Sequence, residues 1–161
     1  MTVDSIASDI QKVETGYRSS LRLRAAIFWG ILFVASLVAD RMLLDGTPLA
    51  YVAPVLIALL AFVAIVVAPQ RVYRRLGYAI DGRMLRVVRG WLFHADTIVP
   101  FVRVQHIDVT HGPIDKLFGI ANLVVHTAGT HNSIVTLPGL APDTAAAIRD
   151  QIRAEIRADA E

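Results

Sequence analysis

The sequence predicts a membrane helical hairpin of two transmembrane α-helices, followed by a β-rich domain that ends in a C-terminal α-helix. Three observations lead to this fold class. Two apolar stretches lie close together within residues 25–68, short runs of β-forming residues broken by turn residues follow Arg71, and the C-terminal residues have a helical pattern. We therefore expect a cytoplasmic N-terminal segment at 1–24, the hairpin at 25–68 and a cytoplasmic domain at 69–161.

The composition indicates that different parts of the chain lie in two different environments, a membrane and water. Hydrophobic residues make up 55% of the 161 residues and the mean hydropathy is +0.52, too apolar for an ordinary soluble domain. The net charge is only +2, which argues against a nucleic-acid partner bound by phosphate neutralisation. The chain has no cysteine, so disulfides, thiolate zinc ligands and cysteine nucleophiles are excluded.

The second apolar stretch runs from Pro48 to Ala68 without a charged residue. As a helix it would be about 31 Å long, and the hydrocarbon core of a bilayer is about 30 Å thick. The alternative is a helix buried in a soluble core, but a chain of this length cannot build a core that large. We expect this stretch to span the membrane.

The first apolar stretch, Ala25 to Ala39, is shorter and reaches spanning length only by extending through Asp40 and Arg41 to Leu44. A signal peptide is the competing interpretation. However, the stretch starts late, no small-residue cleavage site follows it, and the next apolar stretch comes soon after. Two spans are therefore predicted.

The short connection from Asp45 to Pro48 predicts an antiparallel hairpin, with Thr47 as N-cap and Pro48 at the first helical position. Pro54 is expected to bend the second helix. Basic residues flank the two outer ends of the hairpin: Lys12, Arg18, Arg22 and Arg24 before it, and Arg71, Arg74 and Arg75 after it. The positive-inside rule then places both termini in the cytoplasm, in a multi-pass protein of a bacterial plasma (inner) membrane.

Arg71, Arg74 and Arg75 are the clearest functional residues in the sequence. At headgroup level each can contribute about 1 kcal/mol of attraction to anionic lipid. We expect them to set topology and anchor the chain, in preference to binding one specific lipid. A second set, Arg83, Arg86, Arg89 and Arg103, resembles a basic patch but is more simply a solvated strand face or a protein contact.

The domain after the hairpin should contain about seven strands. Asp81-Gly82 predicts a hairpin between residues 78–80 and 84–88, and a third strand begins at Trp91. A long strand follows from Phe101 to Thr110. A bulge is expected near Gln105-His106, because the apolar residues change there from one face of the strand to the other. Residues 114–119 predict one helical turn, and residues 123–137 predict a final hairpin around Gly129.

The C-terminal segment from Asp143 to about Ala158 predicts an amphipathic helix with Asp143 as N-cap. Ile148, Ile152 and Ile156 fall four residues apart and form one narrow apolar stripe. Because an isolated helix of this length is marginal in water, we expect the stripe to dock on the open end of the sheets.

This order of elements resembles the YdbS-like bacterial PH-domain membrane protein family. The resemblance extends from about Gly77 to Ile156 and rests on these segments: Tyr78-x-Ile80-x-Gly82, Gly90, Thr97-Ile98-Val99-Pro100, Arg103-Val104-Gln105, Gly112-Pro113-Ile114, Leu117-Phe118-Gly119-Ile120-Ala121, Thr127-Ala128-Gly129 and Pro138-Gly139-Leu140. It implies a PH-like barrel with a C-terminal helix, and it implies no activity. Many relatives carry basic residues after the equivalent of Gly90. Here Trp91, Leu92 and Phe93 follow it, which suits a protein interface better than a phosphate site.

The sequence contains no recognisable catalytic motif, so we expect no enzyme activity, no cofactor and no small-molecule substrate. Five histidines (His94, His106, His111, His126 and His131) are spaced unlike any common metal site, and no metal is expected. Asp115 is interpreted as a first-turn residue of its short helix.

Two functions remain open. The first is a non-catalytic, membrane-anchored interaction module, acting as an accessory or assembly subunit of a larger inner-membrane complex, for example a respiratory one. Its partners would be membrane lipids and other integral membrane proteins, and small residues on the first helix would permit close helix approach. The alternative is a lipid-binding or envelope-stress sensor that acts alone or as a homo-oligomer.

Overall fold

Two long apolar helices precede the β domain in the structure. The computed structural model describes residues 10–90, 94–128 and 133–158. Helix α1 spans Thr15–Leu43, and a second rod is built from helix α2 (Val52–Phe62), a π-helical segment (Val63–Val67) and helix α3 (Ala68–Arg75). The rods Thr15–Leu43 and Val52–Arg75 contain 29 and 24 residues and are long and apolar enough to cross a membrane.

The apolar surface of both rods faces outward. The most hydrophobic part of the first rod is 0% buried within the protein and that of the second is 11% buried. Exposed side chains include Phe28, Ile31, Leu59 and Phe62. The core helix of a soluble protein would instead be largely covered, so these surfaces are suited to acyl chains.

Helix α1 begins at Thr15, well before the apolar stretch that starts at Ala25. A short strand, β1 (Gln11–Lys12), precedes it and pairs with Gly77 and Tyr78. The described residues before the apolar stretch therefore pack against the β domain, to which they contribute a strand and nearly three helical turns.

The connection between the two rods is longer than predicted, and the prediction of Thr47 as N-cap is wrong. The Thr47 hydroxyl donates to the Leu44 carbonyl at 2.7 Å, and α2 starts only at Val52. Tyr51 occupies the cap position with φ of 67°, and its N–H donates to Asp40 Oδ1 at 2.9 Å. Asp40 is 3% exposed. Its carboxylate, on the first rod, therefore satisfies an N–H group at the start of the second rod that has no partner within the helix.

The second rod is irregular at a different position from the one predicted. Pro54 lies in the first turn of α2, where the missing N–H of proline costs no intrahelical hydrogen bond. The irregularity is the π-helical segment Val63–Val67, which ends two residues before Pro69. Pro69 cannot donate to the carbonyl of Ile65, so widening the helix there relieves the clash between the proline ring and that carbonyl.

The β domain consists of two antiparallel sheets with orders β1-β2-β3-β4 and β5-β6-β7. Its strands are β2 (Gly77–Asp81), β3 (Met84–Gly90), β4 (His94–Pro100), β5 (Val104–Thr110), β6 (Ala121–Thr127) and β7 (Ile134–Leu140). The predicted hairpin around Gly82 is confirmed, and so is the bulge, because the β5–β6 register shifts between Val104 and His106.

The predicted strand from Phe101 starts later, because Phe101–Arg103 form a 3-10 turn. Phe101 is buried in the core and its N–H donates to the Arg83 carbonyl at 2.9 Å, which turns the chain from one sheet into the other. The predicted helical turn is helix α4 (Pro113–Leu117), followed by Gly119 with φ of 62°. Gly129 lies outside the described residues.

Helix α5 (Pro142–Ala158) confirms the predicted C-terminal helix. Ile148 and Ile152 are buried and Ile156 packs against the same core, as the apolar stripe predicts. Asp143 lies inside the first turn, because the helix begins one residue earlier, at Pro142, so its predicted role as N-cap is wrong. The fold class is confirmed: two apolar helices, two antiparallel sheets of PH-like arrangement and a terminal helix.

Candidate functional site

The first helical turns of α1 are fixed to the β domain by a buried carboxylate. Arg24 Nη2 donates to Asp115 Oδ1 at 2.6 Å, and Asp115 is 2% exposed. The second oxygen of Asp115 accepts from the Gly112 N–H at 3.1 Å and from Asn122 Nδ2 at 2.9 Å. Asp115 is the first-turn residue of its short helix, as the sequence predicts, and it also anchors α1.

Two glycines allow α1 to approach the domain closely. A Cβ on Gly16 would lie 2.6 Å from the Phe118 carbonyl oxygen, and one on Gly139 would lie 2.6 Å from the Cβ of Tyr17. Gly139 also has φ of 77°, a conformation that glycine adopts without strain. Larger residues at either position would push the helix away from the domain.

A face of α1 that carries two arginines contacts the second rod. Arg18 Nη1 donates to Gln70 Oε1 at 3.1 Å, and its guanidinium lies 5.8 Å from the centre of the Tyr73 ring. Arg22 follows one turn later on the same face. The Nε atoms of Arg18 and Arg22 are buried and find no hydrogen-bond partner within the part of the chain that the structure describes.

Arg71, Arg74 and Arg75 lie on α3, at the end of the second rod, and all three are exposed. Arg74 and Arg75 occupy the last helical turn, where a positive charge interacts favourably with the helix dipole. Their role in topology and headgroup attraction stays a prediction.

A cavity of about 430 Å³, here called the junction cavity, lies where the two rods meet the two sheets. Its walls come from the start of α1, the end of α3, the edge of the first sheet and strand β7, and they include Tyr17, Val72, Leu76, Arg89 and Pro138. The sequence does not reveal this cavity, because its residues come from five separate elements: α1, α3, β3, β4 and β7.

The second set of arginines does not form the patch that the sequence suggests. Arg86 pairs with Asp96, and Arg83 lies 4.0 Å from Glu155. Arg86 and Arg89 point to opposite faces of β3 because strand side chains alternate, and Arg89 faces the junction cavity.

A histidine and carboxylate cluster lies on the outer face of the second sheet. His106 Nε2 is 2.8 Å from Asp108 Oδ1, and His126 Nε2 is 3.5 Å from Asp108 Oδ2. The cluster forms because His106 and His126 are cross-strand partners, which the sequence spacing does not show. Over residues 10–90, 94–128 and 133–158, no group of three His, Cys, Asp or Glu side chains is arranged to hold a metal ion.

The predicted protein interface at Trp91, Leu92 and Phe93 lies outside the described residues. Strand β4 begins immediately after it, at His94.

Tyr78 attaches strand β1 to the domain core. Its hydroxyl donates to Gln11 Oε1 at 2.8 Å, and the residue is 4% exposed. Burial raises the pKa of Tyr78 above its usual value of 10.0, and the negative charge of Glu14 raises it further. The phenol is therefore held in its neutral, hydrogen-bonded form.

Two exposed apolar helices packed against a PH-like domain are typical of a membrane-associated protein. The chain belongs to the bacterial PH domain family, whose sequence model matches residues 23–156. The expected family resemblance is thereby confirmed.

The chain is also similar to UPF0699 transmembrane protein YdbS of Bacillus subtilis (strain 168), with 30% identity over 92 residues. That alignment covers 57% of this chain and 56% of the relative, so the chain matches only about half of that protein's length. No solved structure matches the chain.

Proposed function

We propose that this chain is a non-catalytic interaction module of a bacterial plasma membrane. Both rods span the bilayer, both termini lie in the cytoplasm, and the PH-like domain binds other integral membrane proteins. In this role the chain is an accessory or assembly subunit of a larger complex.

The observation that carries the proposal is the direct packing of the PH-like domain against the start of the first rod. Helix α1 runs without a break from its contacts with α4 and β7 into the apolar span. The contact of Arg24 with the buried carboxylate of Asp115 and the pairing of β1 with β2 hold its start in place. A domain attached in this way presents a constant face to its neighbours, which is what an assembly subunit requires.

An apolar area on the first sheet supports protein binding. Met84 is 44% exposed and Ile98 is 56% exposed. The register pairs Met84 with Pro100 and Arg86 with Ile98, so Met84 and Ile98 are diagonal neighbours on the same outward face. Clustered exposed apolar side chains are typical of protein contacts.

The first rod also offers a surface for partner helices. A Cβ on Gly30 would meet no atom within 4 Å, so this glycine faces away from the second rod. In membranes, small residues on an open helix face permit close helix packing.

The proposal is tested by purifying the tagged, full-length protein from its own membrane in a mild detergent after brief crosslinking. We expect other integral membrane proteins in fixed ratio to it, and their loss in Met84→Asp/Ile98→Asp. The matched control Val102→Asp/Leu117→Asp makes the same change at two other exposed apolar residues and should retain them. Recovery of the chain alone, at native expression level, would contradict the proposed role.

Topology needs a separate measurement. Reporter fusions after Arg75 and after the C-terminus should both be active only as cytoplasmic reporters. Arg71→Glu/Arg74→Glu should reduce the fraction of molecules in this orientation, because those positive charges are retained on the inner side. A periplasmic reporter signal from the unmodified chain would contradict the topology.

A further inference from the structure

We propose that the apolar face of helix α4, formed by Pro113, Ile114, Leu117 and Phe118, lies in the headgroup layer of the membrane that the two rods cross. The inference rests on the proposed function for the placement of the rods in the bilayer. It gives the β domain a membrane contact of its own, separate from the rods and from the arginines of α3.

The first observation is the distribution of side chains around α4. On a helix with 3.6 residues per turn, the four apolar side chains fall within about 140° of one another, whereas the buried Asp115 points away from them. Pro113 and Leu117 are exposed, Leu117 by 74%, and Ile114 and Phe118 are half-buried. The protein therefore covers this apolar face only in part.

The second observation is the position of α4 beside the first rod. Asp115 accepts a hydrogen bond from Arg24, and a Cβ on Gly16 would lie 2.6 Å from the Phe118 carbonyl oxygen. A Cβ on Gly112, directly before α4, would lie 3.8 Å from Arg24 Nη2. Helix α4 therefore lies along the turns of α1 from Gly16 to Arg24, with its N-terminal end toward the apolar span.

The third observation is that both rods change from apolar to charged beside these same turns. Arg24 is the last charged residue of α1 before its uncharged stretch. On the second rod the uncharged stretch ends before Arg71, and the adjacent Gln70 accepts a hydrogen bond from Arg18 at 3.1 Å. The boundary between acyl chains and headgroups is therefore expected along residues 16–24 of α1.

The dimensions of α4 fit this layer. The headgroups add about 5–7 Å to each side of the hydrocarbon core. The five residues of α4 are about 7.5 Å long as a helix. A helix of this length, lying beside the boundary, presents its side chains to the headgroups over most of their depth.

The direction of the side chains favours the membrane as the occupant of this face. Cα–Cβ bonds in a helix tilt toward its N-terminus, so Leu117 leans over Pro113 toward the bilayer. Lys116 is exposed on the same short helix, and the Arg24 side chain is 48% exposed. Apolar side chains flanked by cations are typical of helices that lie at a membrane surface, and the cations favour anionic lipid.

The contact acts on the orientation of the β domain. The rods already hold the chain in the membrane, so the α4 contact adds little to attachment. It instead provides a second point of support beside α1, which resists tilting of the domain relative to the bilayer.

The test uses single fluorescent labels, since the chain has no cysteine and one introduced cysteine reacts alone. The full-length variants Leu117→Cys, Val102→Cys and Leu59→Cys are labelled and reconstituted in vesicles of phosphatidylcholine and phosphatidylglycerol. Val102 is the control because it is 84% exposed and lies beyond the opposite end of β5 from α4. Leu59 is 60% exposed on the second rod and reports on the span itself.

We expect the label at Leu117 to be quenched more by a lipid that carries a nitroxide at the headgroup than by iodide in the water, and the reverse ratio at Val102. The label at Leu59 should be quenched by a nitroxide deep in the acyl chains. The same quenching ratio at Leu117 and Val102 would refute the α4 contact alone. If the deep nitroxide fails to quench Leu59, the rods do not lie in the bilayer and the proposed function fails with it.

A second measurement separates the membrane from a protein partner. A photoreactive phenylalanine at Leu117, illuminated in the protein's own membrane, should form a phospholipid adduct that is detected by mass spectrometry. The same group at Val102 should form little. An adduct of Leu117 with another protein in place of lipid, or an equal lipid yield at Val102, would overturn the membrane assignment.

Discussion

Replacing Asp115 by alanine tests whether the PH-like domain and the first rod form one unit. The carboxylate accepts hydrogen bonds from Arg24, Gly112 and Asn122, at 2.6, 3.1 and 2.9 Å. Each bond from a neutral donor contributes about 1 kcal/mol net, and its loss leaves a donor without its acceptor. The Arg24 side chain is 48% exposed, so its ion pair contributes only about 0.5–1 kcal/mol after solvent screening.

The expected loss of unfolding free energy for Asp115→Ala is therefore about 3 kcal/mol. Arg24→Ala removes only the screened ion pair and should cost about 1 kcal/mol, since Asp115 keeps its other two donors. The assay is denaturant unfolding of the full-length protein in mild detergent, followed by the far-ultraviolet circular dichroism of the sheets.

The control is Asp150→Ala. Asp150 is an exposed carboxylate whose partner is the adjacent Arg149, at 2.9 Å, so its removal should change stability little. If Asp115→Ala is no more destabilising than Asp150→Ala, or if Arg24→Ala costs more than Asp115→Ala, the assignment of Asp115 as the anchor of α1 is wrong.

Three further predictions concern other positions. Gly139→Ala should lower the free energy of unfolding by about 2–3 kcal/mol in the same assay, because the new Cβ has a strained left-handed backbone and clashes with Tyr17 on α1. Gly82→Ala, with φ of 54° and open space around it, should cost only about 1 kcal/mol. Asp40→Ala should lower the thermal midpoint of the hairpin, at a cost of about 1 kcal/mol for the lost cap on the Tyr51 N–H; an unchanged midpoint would mean that water replaces it. The neutral phenol of Tyr78 contributes stability that is fully present below pH 10.0 and is lost as the pH rises through its raised folded pKa, because only the unfolded state has ionised there. Unfolding midpoints measured from pH 8 to 11 should therefore fall less steeply in Tyr78→Phe, and equal slopes would refute the assignment.

Local patterns in the sequence account for much of the fold. The turn at Gly82, the bulge beside His106 and the stripe of Ile148 and Ile152 were all predictable, because each follows from residues a few positions apart. The family assignment agrees with them, since turn glycines and apolar spacing are what the resemblance rests on.

Other features depend on partners distant in the chain. Residues 15–24 contain arginines and serines and do not appear apolar, yet they are helical because the β domain covers one of their faces. The Tyr51 N–H at the start of α2 is capped by the carboxylate of Asp40 on the preceding rod. The strand ends before Phe101 because the side chain of Phe101 is buried in the core. None of these partners can be identified from sequence spacing.

Two rods apolar enough for a bilayer, followed by a PH-like domain, could be predicted from the amino-acid order alone, because hydrophobic length and alternation are local properties. The folded structure was needed to show that α1 packs against both the second rod and the β domain, and that Arg89 lines a cavity between the rods and the sheets. The reason is that a cavity is made of surfaces from elements far apart in the chain, and the charge left unpaired within it depends on which carboxylates packing has already occupied.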